Sequence, residues 1–66
     1  MPIAKIIEVL AEGESFEGAV EAAVKDASKT VRNVKNVYVD NIQAIVEDDK
    51  IVKYRVNAKL TFVVED

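Results

Sequence analysis

The sequence predicts an α+β fold in the order β-α-β-β, a three-stranded antiparallel sheet whose long hairpin wraps one helix. Three patterns carry that expectation. The even positions from Val52 to Val64 (Val52, Tyr54, Val56, Ala58, Leu60, Phe62 and Val64) are all apolar, with mostly polar residues between them. A period of two sustained this long marks a strand. From Phe16 to Val31 the apolar residues instead recur at spacings of three and four, the mark of an amphipathic helix. Ala4 to Leu10 (AKIIEVL) is rich in β-branched residues and reads as a first strand.

Ala11 to Glu14 is the break after that strand, with Gly13 as its punctuation. The helix is expected over Ser15 to Val31. Ser15 suits the N-cap, its hydroxyl accepting from an amide two or three residues on, and Glu17 suits the positive first turn. Phe16, Ala19, Val20, Ala23, Val24, Ala27 and Val31 form the apolar stripe, and its alanines let the helix lie close on a sheet. Glu17, Glu21, Lys25, Lys29 and Arg32 occupy the opposite side, where Glu21 and Lys25 have the spacing of a favourable pair. Gly18 in the first turn costs roughly 1 kcal/mol against alanine and marks either a close approach or a tolerated imperfection.

Val34 to Val46 is the second strand of the hairpin, and Glu47-Asp48-Asp49-Lys50 is its turn. Its pattern changes phase near Asp40-Asn41, which implies a bulge there or two partly buried faces. Pairing through the turn sets Val46 against Ile51, Val37 against Leu60, Val39 against Ala58 and Ile45 against Val52, giving one apolar face for the helix. The other face pairs Asn36 with Thr61, Tyr38 with Lys59, Asp40 with Asn57 and Ile42 with Arg55. A bulge breaks this register on one side of Asp40. The second face is too apolar for open solvent and too polar for a core.

Size then bears on assembly. The chain has 66 residues, half of them apolar, with no Cys and no His. Residues 1–66 read as one small domain, below the size at which a single core comfortably offsets chain entropy. Disulfides and the usual zinc or haem ligands are excluded, which leaves oligomerisation as the route to stability. A thirteen-residue strand at about 3.4 Å per residue is roughly 44 Å long, against a diameter of roughly 28 Å for a compact chain of this length. A helix of about 25 Å cannot cover such a hairpin. The overhang is expected to meet another copy of the chain.

Charge and motif content exclude several functions. A net charge of −3 with both signs interspersed does not suit a nucleic-acid binder. No stretch approaches the ~18 apolar residues of a membrane span. The opening MPIAKIIEVL does not read as a signal peptide, since it holds a lone Lys and a short run that Glu8 interrupts. The lack of Cys fits a cytoplasmic location. Without Cys or His, and with Ser15 and Ser28 at or on a helix, nucleophilic catalysis has little material, and no enzyme activity is expected. Glu47-Asp48-Asp49 offers carboxylates to a hard cation but lacks the spacing of a calcium loop, so no metal ligand is assigned. Lys53, Arg55 and Lys59 form a row that suits a phosphate, with protection of an exposed strand edge as the plainer reading. Tyr38 and Tyr54 are the aromatic groups able to stack on a planar ligand, Tyr54 being the better fit to core packing.

Along nearly its whole length the chain resembles the dodecin family. KIIEVLAEGESFEGAVEAAV is similar to the family's opening strand, polar turn and S-[FW]-E helix start. ASKTVRNV resembles its A-x-x-T-[VL]-x-x-[VL], and YRVNAKLTFVVE resembles its last strand. The resemblance implies a homo-oligomer of twelve subunits, a hollow shell with helices outside and sheets inward. It also implies a non-catalytic protein that holds flavin, riboflavin or flavin mononucleotide, in pairs at a two-fold axis and quenches its excited state. In the family a tryptophan early in the second strand stacks on the ring, and a glutamine on the third strand bonds its edge. Those positions fall here on Asn36 and Arg55. An amide cannot replace the indole face. Arg55 can stack or donate, but cannot accept from the ring's imide N–H. Asn36, Tyr38, Arg55 and Gln43 are therefore the candidate ligand contacts. Two readings stay open: a shell that binds flavin more weakly, with Tyr38 or Arg55 supplying partial contacts, and one that has lost flavin and binds a cation, a small anion or nothing.

Overall fold

The sheet is set by its central strand. The structure, a computed structural model, describes residues 3–64 and contains β1 (Ile3–Gly13), α1 (Phe16–Ala27), β2 (Val34–Glu47) and β3 (Lys50–Val64). β3 lies between its two neighbours in the order β1-β3-β2, and both pairings are antiparallel. The expected β-α-β-β fold is present. From Tyr54 to Val64 β3 is paired on both sides, so Arg55 and Lys59 protect no edge, whereas Lys53 lies past the end of β1 and pairs with β2 alone. Glu65, the last residue of the family-like strand motif, lies outside the described residues.

β1 runs three residues further than its β-branched segment, through Gly13, which pairs with Tyr54. The break shrinks to Glu14-Ser15. Ser15 then caps α1, its Oγ accepting from the Gly18 amide at 2.9 Å, with Glu17 in the first turn. The helix ends at Ala27, four residues before Val31. Beyond Ala27 the amides of Lys29 and Thr30 bond back three residues, to Asp26 and Ala27, so the last turn tightens. The Thr30 hydroxyl also donates to the Ala27 carbonyl. Val31 still packs against the core from this turn. Asn33, at φ 62°, turns the chain into β2 and exchanges bonds with Val63 through its carbonyl and its side-chain amide. On the outer helix face Lys29 approaches Asp26 at 4.0 Å, rather than Lys25 pairing with Glu21.

Asp48 and Asp49 both sit at positive φ, 52° and 64°, so the turn is the two-residue type whose twist matches a hairpin. Val46↔Ile51, Val37↔Leu60, Val39↔Ala58, Asn36↔Thr61 and Tyr38↔Lys59 pair as expected. Between them the register differs. Asp40 is an extra residue in β2, so Asn41 rather than Asp40 opposes Asn57, and Gln43 rather than Ile42 opposes Arg55. Ile42 moves to the helix side, opposite Val56. A compensating shift near the turn pairs Ile45 with Lys53 rather than Val52.

α1 lies on the face built by Val56, Ala58 and Leu60, with Ile7, Val9, Val34 and Val37 around them. The helix contributes mainly Ala19, Ala23 and Ala27, all buried. Small side chains allow this close contact, and Gly13 requires it. A Cβ there would lie 2.5 Å from the Ala19 nitrogen and 2.7 Å from the Gly18 carbonyl carbon. The close approach raised by Gly18 is thus real, but Gly13 is the residue that must stay bare. A Cβ on Gly18 would meet the Ser15 hydroxyl at 3.0 Å.

The molecule measures 52 × 19 × 13 Å, with a radius of gyration of 13.6 Å, against about 11 Å for a compact chain of this length. Its hairpin overhangs as the strand length required. Ile3, Ile42, Val46, Ile51, Val52 and Val64 are left exposed. Among the described residues no helix is long and apolar enough to cross a membrane. Replacing Gly13 with alanine should lower stability by about 1–3 kcal/mol, because the clash is with helix backbone. Urea unfolding of the G13A variant checks this, and an unchanged midpoint would show that the helix start can shift freely.

Candidate functional site

On the sheet face away from α1, side chains form four cross-strand rungs. In order along β3 they are Ile6–Thr61–Asn36, Glu8–Lys59–Tyr38, Leu10–Asn57–Asn41 and Glu12–Arg55–Gln43. The third and fourth rungs depend on the extra Asp40. Without that bulge Gln43 would point towards the helix, since a one-residue slip exchanges faces. The bulge puts its amide beside Arg55.

All four candidate residues are therefore on one face, but the structure divides them. Gln43 is the direct cross-strand neighbour of Arg55, and Asn36 shares its end of β2 with Tyr38. Thr61, opposite Asn36, and Arg55 are six residues apart along β3, roughly 20 Å at about 3.4 Å per residue. A single chain thus presents the candidates as two separate groups, one amide-and-tyrosine and one amide-and-guanidinium. Tyr38 is 62% exposed, available for stacking. Tyr54, opposite Ala44 and Gly13 on the helix side, is half-buried. Cavities beside the helix, one of about 380 Å³ lined by Leu10, Ala22 and Lys25 and another of about 310 Å³ lined by Phe16, Val20 and Val39, do not include these residues.

Arg55 is already engaged. Glu12 on β1 takes its Nε at 2.8 Å and its Nη2 at 2.7 Å on one carboxylate oxygen, and Lys53 Nζ at 3.0 Å on the other. Hydrogen bonds from Lys53 and then Arg55 hold the Glu12 carboxyl below the usual carboxylate range. Glu12 stays ionised at neutral pH, and the trio carries a net positive charge. Alternation alone gave no sign of Glu12, since its partners lie on the far strand. The row Lys53, Arg55, Lys59 was visible, but not the carboxylate that joins two of its members.

At the third rung the Asn57 Oδ1 is buried and has no hydrogen-bond partner among the described residues. Buried amide oxygens are nearly always satisfied, so this acceptor marks a place where the face is incomplete. The acidic turn Glu47–Asp49 is exposed, and among the described residues no group of three His, Cys, Asp or Glu side chains gathers to hold a metal.

Comparison with known proteins agrees with this architecture. A family model described as Dodecin matches residues 3–65. Among solved structures, the tt0972 protein of Thermus thermophilus is 25% identical, covering 100% of this chain and 98% of that one, with a TM-score of 0.92. A dodecin from Streptomyces coelicolor is 27% identical, covering 98% of this chain and 94% of its own, with a TM-score of 0.90. The dodecin of Streptomyces davaonensis, at 18% identity and a TM-score of 0.91 over 98% and 97% of the two chains, shares the fold. No curated protein matches the chain. By the family model that spans almost all of its length, and by a fold held in common with dodecins from two genera, this chain belongs to the dodecin family.

Proposed function

We propose that the protein is a homo-oligomeric flavin-binding protein that holds riboflavin or flavin mononucleotide without turning it over. One observation carries the reading: the candidate contacts are split between two ends of one open face. A planar ring about 10 Å long cannot bridge half-sites roughly 20 Å apart on one chain. A second copy related by a two-fold axis brings its Asn36 and Tyr38 to the Gln43 and Arg55 of the first. Dodecin membership, the exposed Tyr38 and the overhanging apolar ends all support such an assembly.

In this site Tyr38 is the stacking surface that Asn36 is not. Arg55 donates to ring oxygens, and Gln43 supplies the acceptor that a guanidinium lacks, so the pair does what one glutamine does in the family. Holding rather than reacting follows from the inventory: no Cys, no His, and a Ser15 hydroxyl committed to capping the helix. The twelve-subunit shell follows from the family, and the lack of Cys supports a cytoplasmic location.

A second reading, a shell that takes an anion in place of flavin, is favoured by the Lys53–Glu12–Arg55 trio. Flavin titration separates the two. Flavin fluorescence should quench as protein is added, and no quenching at tens of micromolar protein would overturn the flavin reading. An Asn36→Trp substitution should tighten flavin binding by about five- to 150-fold, since base-on-aromatic stacking is worth ~1–3 kcal/mol. An unchanged affinity would show that position 36 does not face the ring. In gel filtration the protein should elute near about 88 kDa, twelve times the 7.3 kDa chain, and a monomer would rule out the shared site.

A further inference from the structure

The fourth rung already holds an oxyanion, and that oxyanion is its own. The Glu12 carboxylate receives two N–H bonds from Arg55 and one from Lys53, at 2.7 to 3.0 Å. Carboxylate and phosphate oxygens are recognised by the same charge-assisted geometry. Arg55 keeps three N–H donors after serving Glu12, and Lys53 keeps two, because guanidinium has five and ammonium three. Two cations against one carboxylate leave a surplus positive charge. Both basic side chains are partly exposed, at 41% for Lys53 and 36% for Arg55, so a ligand can reach them. Arg55 stands where β3 is paired on both sides, so protection of an edge is no explanation of its charge, and Lys53 reaches the same carboxylate from just past the end of β1.

We propose that Lys53 and Arg55 form a phosphoryl-binding clamp on the ligand face, and that Glu12 is its resident counter-anion, which an incoming phosphate displaces. The clamp makes the protein select a phosphorylated ligand over its neutral analogue. It rests on the reading that this face holds a ligand, but not on that ligand being a flavin. Glu12 keeps the guanidinium oriented when the clamp is empty and competes with the ligand for the same donors. Binding is therefore weaker than two free cations would give, and it falls as salt rises.

The test is isothermal titration of the assembled protein with three probes: inorganic pyrophosphate, flavin mononucleotide and riboflavin. Pyrophosphate should bind, and flavin mononucleotide should bind roughly tenfold tighter than riboflavin. Arg55→Gln should abolish pyrophosphate binding and bring flavin mononucleotide to the affinity of riboflavin. Lys53→Gln should weaken both phosphorylated probes and serves if the arginine variant does not assemble. Glu12→Gln should tighten pyrophosphate by several-fold to about tenfold by removing the competitor. The clamp is overturned if pyrophosphate gives no titration, if the two basic variants leave it unchanged, or if E12Q weakens it. Equal affinity for the two flavins also overturns the clamp and leaves the flavin reading standing. Pyrophosphate binding with no response to either flavin supports the clamp and removes the flavin reading.

Discussion

A twelve-residue helix lies on a sheet whose hairpin strands have fourteen and fifteen residues, and this mismatch governs everything else in the molecule. The helix covers the middle of the sheet through three alanines, over Val56, Ala58 and Leu60. Little apolar surface is available for such a core to bury, and chains this small rarely stand on one core alone. The same mismatch leaves the sheet ends uncovered and the whole opposite face open. The candidate contacts Asn36, Tyr38, Gln43 and Arg55 lie on that same open face.

The extra residue at Asp40 decides what the far half of that face contains. Ahead of it, alternation sets Val37 and Val39 on the core and Asn36 and Tyr38 away from it. Past it, the phase turns over, so Gln43 joins Arg55 and Ile42 joins the helix side. A change of phase near Asp40-Asn41 was legible, because apolar residues shift from odd to even positions there. What it did to the register was not. A phase change permits a bulge or a doubly buried strand, and only the partner strand distinguishes them.

Elements with a strong period were legible throughout: the hairpin, the helix start at Ser15 and the overhang that follows from strand length. The helix end was not, since Val31 fits the apolar stripe equally well from a tightened turn. Nor was the far end of β1, where Ala11, Glu12 and Gly13 have weak strand propensity and are held by pairing with β3 instead. Gly13 looked like a turn residue and is a packing residue, bare because a helix backbone passes 2.5 Å from where its Cβ would be. Glu12 was missed for the same reason as β1's length. Strand order decides who meets whom, and no periodicity within one strand carries that information.

That strand order also governs how the chain can fold. The hairpin closes through a two-residue turn and is local, whereas β1 pairs with β3 from Ile3↔Val64 inward, joining the two ends of the described chain. Contacts so far apart in sequence are slow to form. On a ribosome the first strand emerges early, and its partner only after the helix and the second strand. Ile3, Ile6 and Leu10, exposed even in the folded subunit, must therefore stay in solution until β3 has been made. The interleaving of Lys5, Glu8 and Glu12 among them keeps that waiting segment from being a continuous apolar ribbon, so it is the nascent chain, as much as the folded subunit, that needs those charges.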